Sequence, residues 1–180
     1  MPRKGASNRQ SDFFKVCDQC RNELSCCFGP RPPITRKRRR IIEAYLKKER
    51  IAIADPFAET EYVFPRENQE GYCVFYEVKT AKCRIHSVKP ETCVAGPITF
   101  DVNRKNLRIE YYIKKEKICR LAGIVHEDPK LLQKHLESAK REISKLVEAL
   151  SPRELEAILK KEEPDIFRID EDHIERDGGA

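Results

Sequence analysis

Apolar residues recur along the chain at two spacings, about every 3.6 residues and every second residue, and so separate helical from extended stretches. After the block Gly29-Pro-Arg-Pro-Pro33, Thr35 stands as an N-cap with Ile34 placed for a hydrophobic staple. Ile41, Ile42, Tyr45 and Leu46 then predict a helix over 35–50 with one buried stripe. Asp128-Pro129 combines a capping side chain with proline at the first helical position, and Leu132, Leu136, Ala139, Ile143, Val147 and Leu150 carry the stripe of a long helix. Ser151-Pro-Arg-Glu154 has the form of a capping box and predicts another helix over 152–162, ended by Pro164.

Between these helices the period shortens to two. Tyr62-Val-Phe64 and Tyr72-Cys-Val-Phe-Tyr76 read as strands of a hairpin about the turn Asn68-Gln-Glu-Gly71. Ile98–Val102 and Leu107–Ile113, joined through Asn103-Arg-Lys-Asn106, read as a second hairpin. The expected fold class is α+β: a small metal-stapled domain with two short β-hairpins, cysteine-rich loops and C-terminal helices. Its expected parts are a flexible basic arm over 1–12, a cysteine-cluster metal-binding domain over 13–123, a helical extension over 124–164 and an acidic tail over 165–180.

Composition explains why a staple is expected. Hydrophobic residues make up 39% of the 180 and charged residues 37%, so apolar burial is thin for a chain of this length. The net charge of +6 is unevenly spread. Residues 1–40 hold eleven Lys/Arg against three acids, and residues 162–177 hold eight acids against two Arg. No signal peptide or membrane span is read, so a cytoplasmic location is expected, where thiols stay reduced and serve as ligands or catalysts more often than as disulfides.

The candidate chemistry lies in eight cysteines: Cys17-x2-Cys20-x5-Cys26-Cys27, then Cys73-x9-Cys83-x9-Cys93, then Cys119. A Cys-x2-Cys pair converges two sulfurs on one ion, and four thiolates complete a zinc site or hold an iron–sulfur cluster. Cys26 and Cys27 are adjacent, and neighbouring side chains diverge, so one small ion does not readily take both. Cys119, in Ile118-Cys-Arg-Leu121, is either an eighth ligand or a small buried hydrophobe. The spacing matches neither ferredoxin pattern nor a zinc ribbon, and Cys17-Asp-Gln-Cys20 lacks the βαβ surroundings of a thioredoxin-type dithiol.

The order Cys-x2-Cys, Cys-Cys, Pro-x-Thr, Cys-Val-Phe and Cys-Arg-Ile-His-Ser-Val-Lys-Pro-Glu-Thr-Cys resembles the YkgJ-like cysteine-cluster family, the zinc- or iron-chelating CxxCxxCC domain, over roughly residues 13–123. Cys83, Ile85, Pro90 and Cys93 match the second block usual in that family, whereas His86 replaces Tyr, Lys89 replaces Arg and Val94 replaces Arg. The resemblance implies binding of an iron–sulfur cluster or of zinc, without a settled activity for small members. Some larger relatives are flagellin lysine methylases, an activity not carried over to this chain. No Gly-x-Gly occurs among its seven glycines, so a dinucleotide fingerprint, a P-loop and a serine-hydrolase elbow are all excluded.

Other charged groups are read against this centre. His86 is a candidate ligand or hydrogen-bond donor to a cluster sulfur, while His126, His135 and His173 have no ligand spacing and read as ordinary histidines. Arg21, Lys82, Arg84 and Lys89 flank the thiols and favour thiolate. Arg36-Lys-Arg-Arg-Arg40 places positive charge at a helix start, against the macrodipole, and reads as a solvated face covered by the acidic tail or as a surface for an anionic partner. The leading expectation is a cytoplasmic metal-binding protein that holds an iron–sulfur cluster, of the 4Fe-4S type, through Cys17, Cys20, Cys26, Cys27, Cys73, Cys83, Cys93 and Cys119. Electron transfer or cofactor-assisted chemistry with a protein or redox partner is the expected use. The alternatives are a zinc-binding adaptor whose basic helix meets an anionic partner and, with least support, a methyl- or redox-transferase; nucleic acid is a secondary partner and a membrane is not one.

Overall fold

Thr35 ends the proline-rich stretch and starts α1 (Arg36–Lys48), its hydroxyl accepting from the Arg38 N–H at 3.0 Å. The computed structural model describes residues 26–160 and 165–174. Ile42 and Leu46, one turn apart, take the buried positions of α1, whereas Ile41 is 40% exposed and leaves the predicted stripe. A step of about 100° per residue turns Ile41 away once Ile42 faces the core.

Two small antiparallel pairs follow: β1 (Phe57–Glu59) with β2 (Val63–Pro65), and β3 (Tyr76–Glu77) with β4 (Lys82–Cys83). The hairpin predicted to join Tyr62–Phe64 with Tyr72–Tyr76 is therefore divided between two partners. Its turn does form. Asn68 Oδ1 accepts from the N–H groups of Glu70 and Tyr72, and Val74 N–H reaches Arg66 O at 2.8 Å. The ladder stops there because Val63 and Phe64 already pair with β1, while Phe75, fully buried, enters the core beside Phe57, Ile42 and Ile85.

A 3₁₀ turn (His86–Val88) leads into the short helix α2 (Glu91–Ala95). The second predicted hairpin is present as β5 (Ile98–Asn103) and β6 (Arg108–Lys114), paired from Ile98↔Ile113 to Asn103↔Arg108. Helices α3 (Arg120–Glu127), α4 (Pro129–Ala149) and α5 (Pro152–Leu159) follow. Asp128 caps α4 by accepting from the N–H groups of Lys130 and Leu131, and the Ser151/Glu154 capping box is complete. Pro164 lies outside the described residues.

The stretch expected as an acidic tail contains β7 (Ile166–His173), which pairs antiparallel with β6 and gives the sheet order β5-β6-β7. Its acids are held by cations. Lys140 Nζ lies 2.8 Å from Asp170 and 2.7 Å from Asp172, Asp165 meets Lys115 and Lys117, and Glu171 meets Arg108 and Arg168. These contacts correct the expectation that this segment covers the basic helix.

The architecture is α+β, with three apolar groups. Ile98, Phe100, Val102, Ile109 and Tyr111 of the sheet pack on Ala139, Ile143, Leu146 and Val147 of α4. Ile34, Ile42, Leu46, Phe57, Phe75 and Ile85 form a second group, against which Cys73 and Cys83 lie. Ile113, Leu121, Ala122 and Val125 form a third, beside Cys119. No helix among the described residues is long and apolar enough to cross a membrane.

Candidate metal centre

Cys27 and Cys73, 46 positions apart, are brought together by backbone pairing. Cys73 N–H donates to Cys27 O at 2.8 Å, and Gly29 N–H donates to Gly71 O at 2.9 Å. The Phe28 ring stands edge-on to Tyr72 at 5.1 Å, and Tyr72 stacks on Tyr76 at the same centroid distance. Gly71 permits this approach, with φ of +83° and Phe28 Cε2 3.0 Å from the place a β-carbon would occupy. Gly71→Ala is expected to destabilise the protein by about 1–2 kcal/mol in a denaturant titration, through left-handed strain and displacement of Phe28. An unchanged midpoint would show that the Phe28 segment gives way freely.

Cys83 enters through the register of β4, opposite Tyr76. Cys93 is carried by α2, whose position is over-determined from both ends. At its start the buried Glu91 accepts from the Thr35 hydroxyl at 2.6 Å, with Arg38 Nε 3.5 Å from the same oxygen. Arg38 also pairs with Glu142 of α4. At its end the buried His135 places Nε2 3.0 Å from both Ala95 O and Gly96 O, so the imidazole donates to the helix's last carbonyls. Burial holds the His135 pKa below its ordinary value, against the two carbonyl bonds, which keeps the ring neutral.

Cys26, Cys27, Cys73, Cys83 and Cys93 thus come from three separate parts of the chain into one another's electrostatic reach. A hydrogen bond from Cys27, opposed by burial and aided by Lys89 and Lys114, lowers the Cys26 thiol to about 6. The same bond, followed by burial and the neighbouring sulfurs, pushes Cys27 well up. Burial first, then Cys83 and Cys26, push Cys73 up to about 11 despite a bond from the Phe75 N–H. Burial, with Cys26 next, also raises Cys93, opposed by Lys89. Without a cation, then, the Cys26 thiolate is favoured while Cys27, Cys73 and Cys93 resist ionisation; a cation among them reverses that preference and drives proton release.

Lys89 is where the sequence placed it, buried next to Cys26 and Cys93. Lys114, at the end of β6, had no sequence signal; neither had the pairing of Glu91 with Arg38, 53 positions apart, which takes Arg38 out of the exposed basic run in which the sequence set it. Cys119 occupies the N-cap position of α3, without a side-chain capping bond, and packs beside Leu121 and Val125. Cys17 and Cys20 lie outside the described residues. Among the described residues no three Cys, His, Asp or Glu side chains close on one point at ion-binding distance. The thiols are gathered by the fold, and thiol is the donor that zinc and iron–sulfur clusters share.

Comparison with known proteins gives the centre a wider setting. The family description "CxxCxxCC: Putative zinc- or iron-chelating domain" matches residues 16–120, a span that encloses all eight cysteines. The uncharacterized protein MJ0661 of Methanocaldococcus jannaschii is 29% identical over 97 residues, which is 53% of this chain and 52% of that protein. The chain therefore spans about half the length of this curated relative. No solved structure matches.

Proposed function

We propose that this chain, which belongs to the CxxCxxCC family of zinc- or iron-chelating domains and is a metal-binding protein on that ground, holds an iron–sulfur cluster through cysteines of both blocks. The gathering of Cys26, Cys27, Cys73, Cys83 and Cys93 carries this reading. Five thiols exceed the four of a closed zinc site, before Cys17 and Cys20 are added on their spacing. The adjacent Cys26 and Cys27 point the same way, because a cluster offers several metal atoms to diverging sulfurs. A 4Fe-4S cluster is the form proposed, with electron transfer or cofactor-assisted chemistry as its use.

The residues around the thiols support that use. Lys89 and Lys114 offset the negative charge of a thiolate centre, and Cys73 and Cys83 pack against the Ile42–Phe75–Ile85 group, which limits water on that side. When bound, the cluster supplies a one-electron couple. The chain's own contribution is to gather the ligands, exclude water on one side and set the local charge.

Purification without oxygen, followed by metal and sulfide analysis and a visible spectrum, tests the proposal. A brown protein with iron and acid-labile sulfide is expected. A colourless protein with one zinc per chain and no sulfide would instead make the centre a structural zinc site.

A further inference from the structure

The five basic residues that open α1 are sorted by the fold into two roles. Arg38 is turned inward to Glu91 and Glu142. Arg39 is held by Glu43 at 2.9 Å and lies over the Phe57 ring at 5.2 Å. Arg36, Lys37 and Arg40 are exposed and make no ion pair among the described residues, and Lys47 continues the same side two turns later. Arg36, Arg39, Arg40, Glu43 and Glu59, with Ile34 and Val63 as an apolar floor, line a cleft of about 380 Å³ between α1 and the β1–β2 pair; Arg39 answers both carboxylates, at 2.9 Å and 4.0 Å, and so leaves Arg36 and Arg40 for a ligand. No acidic residue stands in the first turn to balance them. The acids of 165–174 are occupied elsewhere, on Lys140, Lys115, Lys117 and Arg108.

We infer that this exposed face of α1 is a docking surface for the phosphate backbone of a nucleic acid, with the Arg36–Arg40 cleft receiving one phosphate. Cations repeat along a helix of 13 residues, about 20 Å long, a length suited to several successive phosphates. At the cleft the guanidinium groups of Arg36 and Arg40 make no ion pair among the described residues, and their planar fork suits phosphate oxygens. Ile41 is the one large apolar side chain exposed on α1, too little for insertion into a membrane or for the apolar centre of a protein interface. Base-specific readout is not part of the inference, since phosphate contacts position without selecting sequence.

The test uses the full chain with its metal and a labelled DNA duplex of about 20 base pairs, with anisotropy read between about 50 and 200 mM salt. Affinity is expected to fall steeply with salt. In R36A/R40A the slope of log K against log salt should drop by about 1.8, the loss of two phosphate contacts, whereas K160A, at the C-cap of α5, should leave it unchanged. Circular dichroism and metal content confirm that the variants are folded. No binding at the lowest salt overturns the inference, as does an R36A/R40A variant that binds like the parent or selective binding to anionic vesicles or an acidic peptide in place of the duplex.

Discussion

Cys93→Ser is expected to release the metal and to cost more than about 4–5 kcal/mol of stability, the range reached when a structural metal is lost. Cys93 sits on a helix fixed at both ends by Glu91 and His135, so its sulfur has little freedom and a shorter, harder oxygen cannot compensate. Cys17→Ser, Cys20→Ser and Cys83→Ser should behave alike, since each removes a ligand from the same proposed centre. Metal per chain and the thermal transition are the two measurements. Full metal retention in all four variants would refute the proposed ligand set. Cys119→Ser is the informative contrast: retained metal with a modest loss of stability places Cys119 with Leu121 and Val125 as a packed hydrophobe, and lost metal makes it a ligand.

Arg38→Ala should be the most damaging substitution outside the cysteines, at about 3–5 kcal/mol, because it leaves the buried Glu91 carboxylate with the Thr35 hydroxyl but no cation and removes the link to Glu142. Glu91 is 3% exposed and Arg38 17%, so solvent does little to replace the lost partner. The charge pair acts as a unit. A cycle of Arg38→Ala, Glu91→Ala and the double variant should therefore give a coupling of about 0.5–3 kcal/mol in urea midpoints. Additive effects would show that the two side chains act separately. Metal affinity should fall in parallel, since Glu91 lies two residues before Cys93 on the same helix.

The parts of the fold legible in the sequence are those that local chemistry determines. Asp128-Pro129 and Ser151–Glu154 cap their helices with side chains that reach no further than three residues, and the β5–β6 hairpin closes over four residues. Where partners are distant, the same signals mislead. Tyr62–Phe64 and Tyr72–Tyr76 have strand-like sequences, but which strand each pairs with depends on where Phe75 is buried. Strand β7 is still less visible, because Arg168, Asp170, Glu171 and Asp172 suit a solvated tail until Lys140 and Arg108 are brought beside them. The centre divides in the same manner. Cysteine spacing names the thiols, whereas the Thr35–Glu91–Arg38–Glu142 chain that fixes one of them is a tertiary product.

Strand β7 also sets an order of events during synthesis. Cys26, Cys27, Cys73, Cys83 and Cys93 and both strands of the β5–β6 hairpin are synthesised by residue 114, yet β6 meets its second neighbour only through residues 166–173. Until that length has left the ribosome, β6 presents an open row of backbone donors and acceptors, the kind of edge on which chains pair with one another. The nascent protein therefore carries these five cysteines well before its sheet is sealed, and the charged strand β7 is the one that ends the exposure of β6 to aggregation.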